Sequence, residues 1–193
     1  MQLIYTPRSH FARKVRLLMA GLGIDAELVD AGNVADAAGL FGPNPLMRVP
    51  TLLDGGQVVS ESDHIAAYLV RRDDPVDRFG VMASDPDLLN ARAVMNGVMG
   101  LEAELILAAR TGLGTDHPRF DKMRMSLRQG LQWLEARAWM IDDAPSYLGF
   151  HFVAMWDHLA LYGLVPLDHP PLRDRRIAAD AWPYVAASSP PAL

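Results

Sequence analysis

The chain has 193 residues, 50% of them hydrophobic and 21% charged, with a formal net charge of −5. That length suits one or two small domains, the apolar fraction supports a real core, and without a long block of like charges a nucleic-acid partner is not expected. The absence of cysteine excludes disulfides, zinc-thiolate and iron-sulfur sites and any enzyme thiol nucleophile.

Gln2 to Tyr5 reads as a short strand ended by Thr6-Pro7. Phe11, Val15, Leu18, Met19 and Leu22 then fall on one face of a helix, which Gly21 and Gly23 stop. Ala26 to Val29 is a second strand. Asp36 to Phe41 is a short helix or an irregular loop, punctuated by Gly42, Pro43 and Pro45. Two apolar runs, Thr51-Leu52-Leu53 and Gln57-Val58-Val59, flank Asp54-Gly55-Gly56 and predict a hairpin. A helix follows through Ile65, Tyr68 and Leu69. A crossover from the first strand to the second makes that pair parallel, and the hairpin adds antiparallel strands. The expected unit is a small mixed sheet with helices on its faces, over residues 1–74.

Residues 75–86 read as a linker, and residues 87–193 as an all-helical domain. Leu88 to Leu107 is long and apolar-rich. Phe120, Met123, Leu127, Leu131, Leu134, Ala138 and Ile141 form a stripe at helical spacing, the buried face of a bundle helix. Val153 to Tyr162 predicts a central helix and Leu172 to Ala181 another. Ser188 to Pro191 reads as a frayed tail. No apolar run reaches the about 18 residues of a membrane span. Met1 to Pro7 lacks the pattern of a secretory leader, so a cytoplasmic location is expected.

The segment Asn44-Pro45-Leu46-Met47-Arg48-Val49-Pro50-Thr51-Leu52, followed by Glu61-Ser62, Ile65 and Tyr68-Leu69, resembles the glutathione transferase family. Thr6-Pro7-Arg8-Ser9-His10-Phe11-Ala12-Arg13-Lys14-Val15 is similar to that family's first strand-to-helix turn. The resemblance implies an α/β thioredoxin-like N-terminal domain followed by an all-α helical-bundle domain. It also implies a homodimer, glutathione as co-substrate, a small hydrophobic electrophile and a role in detoxification. Expected reactions are addition, aromatic substitution, thiolysis or isomerisation. Branches of the family that form a mixed disulfide are excluded, because there is no cysteine. The competing reading is a catalytically silent protein that uses the same fold for binding or interaction.

Each site residue has a plain role beside its implied one. Pro50 could simply start a strand. In the family the equivalent proline is cis, which would turn the Val49 N–H and C=O outward to pair with an extended tripeptide. Glu61 and Ser62 are ordinary first-turn residues. The resemblance has Ser62 hold the γ-glutamyl carboxylate at a helix N-terminus and Glu61 meet the ammonium group. Arg48 is either a solvated arginine or the partner of the glycine carboxylate. Ser9 either caps the first helix or donates a hydrogen bond to the glutathione sulfur, and it is the expected catalytic residue.

Tyr5, the alternative sulfur donor, lies inside a strand and favours a sheet-face role. His10 stands where the family often has proline. It is either a partly exposed helix-start residue or a group that titrates beside the site. Met95, Asn96 and Met99 could wall the electrophile pocket, although methionines at helical spacing are core residues more often. The family's hydroxyl-x-x-Asp box at the start of its central helix is matched only by Ala154 and Asp157. The histidines show no compact ligand spacing, so no metal is expected.

Overall fold

The computed structural model describes residues 1–35 and 39–193. The expectation for Asp36 to Phe41 falls in part outside these residues. Four strands, β1 (Gln2–Tyr5), β2 (Glu27–Asp30), β3 (Thr51–Asp54) and β4 (Gln57–Ser60), form one sheet in the order β2-β1-β3-β4. β1 pairs parallel with β2 and antiparallel with β3, which pairs antiparallel with β4. Gly55 and Gly56 both carry positive φ in the hairpin turn, the conformation that favours glycine there. Helix α1 (His10–Leu22) and helix α2 (Ser62–Asp73) complete the α/β part. Gly21 lies inside α1, and Gly23 closes it in the left-handed conformation with φ 70°.

The remainder is helical: α3 (Pro86–Arg110), α4 (Pro118–Glu135), α5 (Tyr147–Tyr162) and α6 (Pro170–Ala178). Among the described residues no helix is long and apolar enough to cross a membrane. The α4 stripe runs past the helix, because Ala138 lies in a separate 3-10 turn and Ile141 just after it, both buried. Helix α5 opens at Tyr147 rather than Val153. Its N-cap is Ser146, whose side chain accepts from the Gly149 N–H at 3.1 Å. Ala154 and Asp157 therefore sit within α5, and the Asp157 carboxylate pairs with Arg13 and Arg176 instead of capping a helix. The tail is tethered rather than frayed. Ser188 is buried against Arg13, and the Ala192 carbonyl accepts from Arg8 at 2.6 Å.

Helix α1 faces two cores. Val15 and Met19 pack with Leu3, Leu52, Ile65 and Leu69 between sheet and helices. Leu17 and Leu18 pack with Ala66, Val70 and the helical domain. A helix buried on both sides forces its polar residues inward too, so Arg13 and Lys14 are nearly solvent-free. Buried cations need partners, and theirs come from other helices.

Candidate active site

The strand register brings three turns to one end of the sheet. Ile4 opposes Thr51, and Thr51 opposes Ser60. The turn after β1 (residues 6–9), the segment before β3 (48–50) and the start of α2 (61–62) therefore leave the sheet at the same end. All six sequence-derived site residues lie on these turns.

Ser9 is the N-cap of α1, and its Oγ accepts from the Ala12 N–H at 3.1 Å. Its own N–H donates to the Thr6 carbonyl at 3.0 Å. The cap fixes the oxygen and leaves the hydroxyl hydrogen uncommitted among the described residues. Capping and donation to a thiolate use different atoms of one side chain, so the two readings of Ser9 are compatible. Tyr5 ends β1 with Arg16 over its ring at 5.2 Å.

The Val49–Pro50 peptide is cis. The loop before it is built on Asn44, which is buried. Asn44 Nδ2 donates to the Arg48 carbonyl and to Thr51 Oγ1, each at 3.0 Å, and its Oδ1 accepts from the Leu46 N–H. Arg48 is exposed, with no carboxylate partner among the described residues. Glu61 precedes α2 with φ 69° and ψ 126°, a conformation that residues with a side chain rarely adopt. Ser62 is buried. The first N–H groups of α2 have no helical acceptor, and the first bond runs from the Ile65 N–H to the Glu61 carbonyl at 2.9 Å.

Directly under this helix start lies a polar network that joins the two parts of the chain. Asp63 Oδ1 accepts from Lys14 Nζ at 3.0 Å and from the Tyr147 hydroxyl at 2.7 Å, and Oδ2 accepts from Asn96 Nδ2 at 2.6 Å. Lys14 also donates to Asn96 Oδ1 at 2.9 Å, and His151 Nε2 stands 3.4 Å away. Burial alone would raise the Asp63 carboxyl. Lys14, His151 and the bonds from Tyr147 and Asn96 together hold it well below the ordinary range. Burial pulls Lys14 down to about 8 despite Asp63. Asn96, considered for the electrophile pocket, belongs to this network, while Met95 and Met99 are core residues with no exposed surface.

His10 is not an exposed helix-start residue. It is buried, its ring stacks on His158, and burial lowers its basicity far below neutrality. Asn44, Asp63, Lys14 and Glu102 carry no role in the sequence reading. Their signals are faint: Glu102 interrupts the apolar positions Val98 and Leu105 at helical spacing, and Lys14 sits beside the apolar face of α1. A shallow cavity of 490 Å³ between Met1, Glu27 and the β3–β4 turn lies at the opposite end of the sheet. It holds none of these groups.

Residues 3–76 match the family described as glutathione S-transferase, N-terminal domain. No curated protein matches the chain. Among solved structures, a glutathione S-transferase from Methylobacillus flagellatus with glutathione bound is 23% identical, with a TM-score of 0.83, covering 98% of this chain and 99% of its own. A glutathione transferase family member from Pseudomonas fluorescens with bound S-(propanoic acid)-glutathione is 22% identical, with a TM-score of 0.82 and the same coverages, 98% and 99%. A maleylacetoacetate isomerase from Methylobacterium extorquens with malonate and glutathione is 23% identical, with a TM-score of 0.72, covering 98% and 96%. At these identities the likeness establishes the fold.

Proposed function

With a glutathione S-transferase N-terminal domain over residues 3–76 and that family's fold over the whole chain, we propose that this protein binds glutathione and activates its thiolate for attack on a small apolar electrophile. The observation that carries the reading is the convergence of three differently equipped turns at one sheet end. Each offers what one part of the tripeptide needs. The helix start offers the Ser62 hydroxyl and its unpaired N–H groups to the γ-glutamyl carboxylate. Glu61, held beside it, takes the ammonium group. The main chain of Val49, before Pro50, pairs with the cysteinyl residue as an added strand does. Arg48, without a carboxylate partner among the described residues, supplies its guanidinium for the glycine carboxylate.

Ser9 is then neither nucleophile nor base. Its hydroxyl donates to the sulfur, which lies near the N-terminus of α1. A free thiol has a pKa of about 8.5, so it is mostly protonated at neutrality. Lowering that value by ~2 units requires about 2.7 kcal/mol of preference for the thiolate. One charge-assisted hydrogen bond and a helix N-terminus supply energies of that order. The proton leaves to solvent, and the thiolate attacks the electrophile. The same reading includes a homodimer, a cytoplasmic location and a part in detoxification.

Calorimetry with glutathione tests the reading. The wild type binds, and Ser62→Ala and Arg48→Ala each weaken binding by roughly tenfold, the value of one charge-assisted hydrogen bond. A silent protein of the same fold would release no heat with glutathione, and neither substitution would matter.

A further inference from the structure

Beneath the turn that carries Ser9, three helices bury one ionisable group each. His10 opens α1, Glu102 lies in α3 and His158 in α5, and Glu102 has no exposed surface. The imidazoles stack with centroids 3.9 Å apart and planes 14° from parallel. Glu102 Oε2 lies 2.8 Å from His158 Nδ1 and 3.9 Å from His10 Nε2. Neither Glu102 oxygen nor His158 Nδ1 makes an aligned hydrogen bond despite the short approach. His10 Nε2 is 2.9 Å from the Met99 carbonyl, which only accepts, so that nitrogen carries a hydrogen.

Among the described residues this is the one group whose donor atoms converge as metal ligands do, within 4.8 Å of one another. The ring geometry argues against that use. An imidazole lone pair lies in the ring plane, so two stacked rings aim theirs along separate layers, and His10 Nε2 is already engaged.

Among the described residues, no cation of a neighbouring helix is free to compensate a carboxylate here. From α1, Lys14 is held by Asp63 and Asn96, and Arg13 by Asp157. From α5, His151 faces Lys14, and Tyr162 packs its ring on His158. Helix α4, the other neighbour of α3, turns Phe120, Met123, Leu127, Leu131 and Leu134 inward. The nearest candidate cation, His158, is itself kept neutral by burial, and a buried carboxylate without a cation sheds its charge by taking a proton.

We propose that Glu102 is an uncharged carboxylic acid at neutral pH and a positioning residue, holding the His10–His158 stack under the Ser9 turn without placing negative charge near the thiolate. The functional half rests on the glutathione reading above; the protonation state does not. Burial raises the Glu102 acid to about 9 and lowers His158 to about 4, so both are neutral across the range between. Above that range Glu102 releases its proton to solvent. Its carboxylate then stands roughly 10 Å from the sulfur position, counting one residue step from His10 to Ser9. A unit charge there, at an effective dielectric constant of about 20, raises the bound thiol by about one pKa unit and weakens binding of the thiolate form roughly tenfold.

Infrared spectra test the protonation state without glutathione. The wild type at pH 7 shows the band of an un-ionised carboxyl, which Glu102→Gln removes and which fades in the wild type above pH about 9. The wild-type titration alone decides this if the variant does not fold. The pH profile of kcat/KM for glutathione tests the link to the site. The wild type loses roughly tenfold on the alkaline side. Glu102→Gln, which keeps the shape without the acid, has no alkaline fall, whereas Glu102→Ala is slower throughout. A missing carboxyl band, an alkaline fall that persists in Glu102→Gln, or Zn²⁺ raising the Tm of the wild type and not of Glu102→Gln would each overturn the proposal.

Discussion

Replacing Asp63 by Asn strands the Lys14 ammonium, whose nitrogen lies 3.0 Å from the carboxylate and whose side chain has no exposed surface. At that distance and an effective dielectric constant of about 20, the lost attraction is roughly 5 kcal/mol. The folded protein need not bear all of it, because Lys14 can give up its proton. In the wild type Lys14 titrates at about 8. Neutralising it therefore costs about 1.4 kcal/mol at pH 7 and about 4 kcal/mol at pH 5. Those values cap the part of the destabilisation that comes from the stranded charge.

The sign follows from proton counts. In the variant the unfolded chain keeps the lysine proton and the folded chain loses it, so stability rises with pH. In the wild type both states keep the proton below pH about 8, and the curve is flat with respect to this group. Urea unfolding at pH 5, 6, 7 and 8 should show the gap between wild type and Asp63→Asn shrinking by about 1.4 kcal/mol per pH unit. A gap that is constant or widens with pH would refute the reasoning.

Asn44→Ala removes the donor to the Arg48 carbonyl and Thr51 Oγ1. It should cost about 1–3 kcal/mol in urea unfolding, as for a buried group left unpaired, and weaken glutathione binding measured by calorimetry. Gly149→Ala would set a Cβ 2.5 Å from the Trp182 ring. It should destabilise by about 1–3 kcal/mol, with a change in native tryptophan fluorescence as the ring moves. Ser146→Ala removes the α5 cap and should lower stability by about 1 kcal/mol in the same unfolding assay.

What could be read from the chain follows from which interactions are local. The alternation and turn residues of Gln57–Ser60 and Thr51–Asp54, and the apolar face of α1, are set by neighbours in sequence, and these elements appear where expected. The start of α5 was misplaced because Tyr147 to Phe152 is buried on all sides and shows no polar face to mark its phase. The tail looked free because its anchors, Arg8 and Arg13, lie at the other end of the chain. The turns that form the candidate site were legible as motifs. Their supports were not. Lys14, Asp63, Asn96, Tyr147 and His151 meet only when α1, α2, α3 and α5 pack together. Likewise, no local pattern distinguishes His10 at an exposed helix start from His10 stacked on His158.

The state of the cysteinyl sulfur in bound glutathione tests the central claim most directly. The ultraviolet thiolate band, followed against pH with protein in excess, should give the wild-type complex a thiol pKa about 2 units below that of free glutathione. Ser9→Ala should return it most of the way to the free value while glutathione still binds. A bound thiol that titrates like the free tripeptide, or a band that Ser9→Ala leaves untouched, would contradict the assignment.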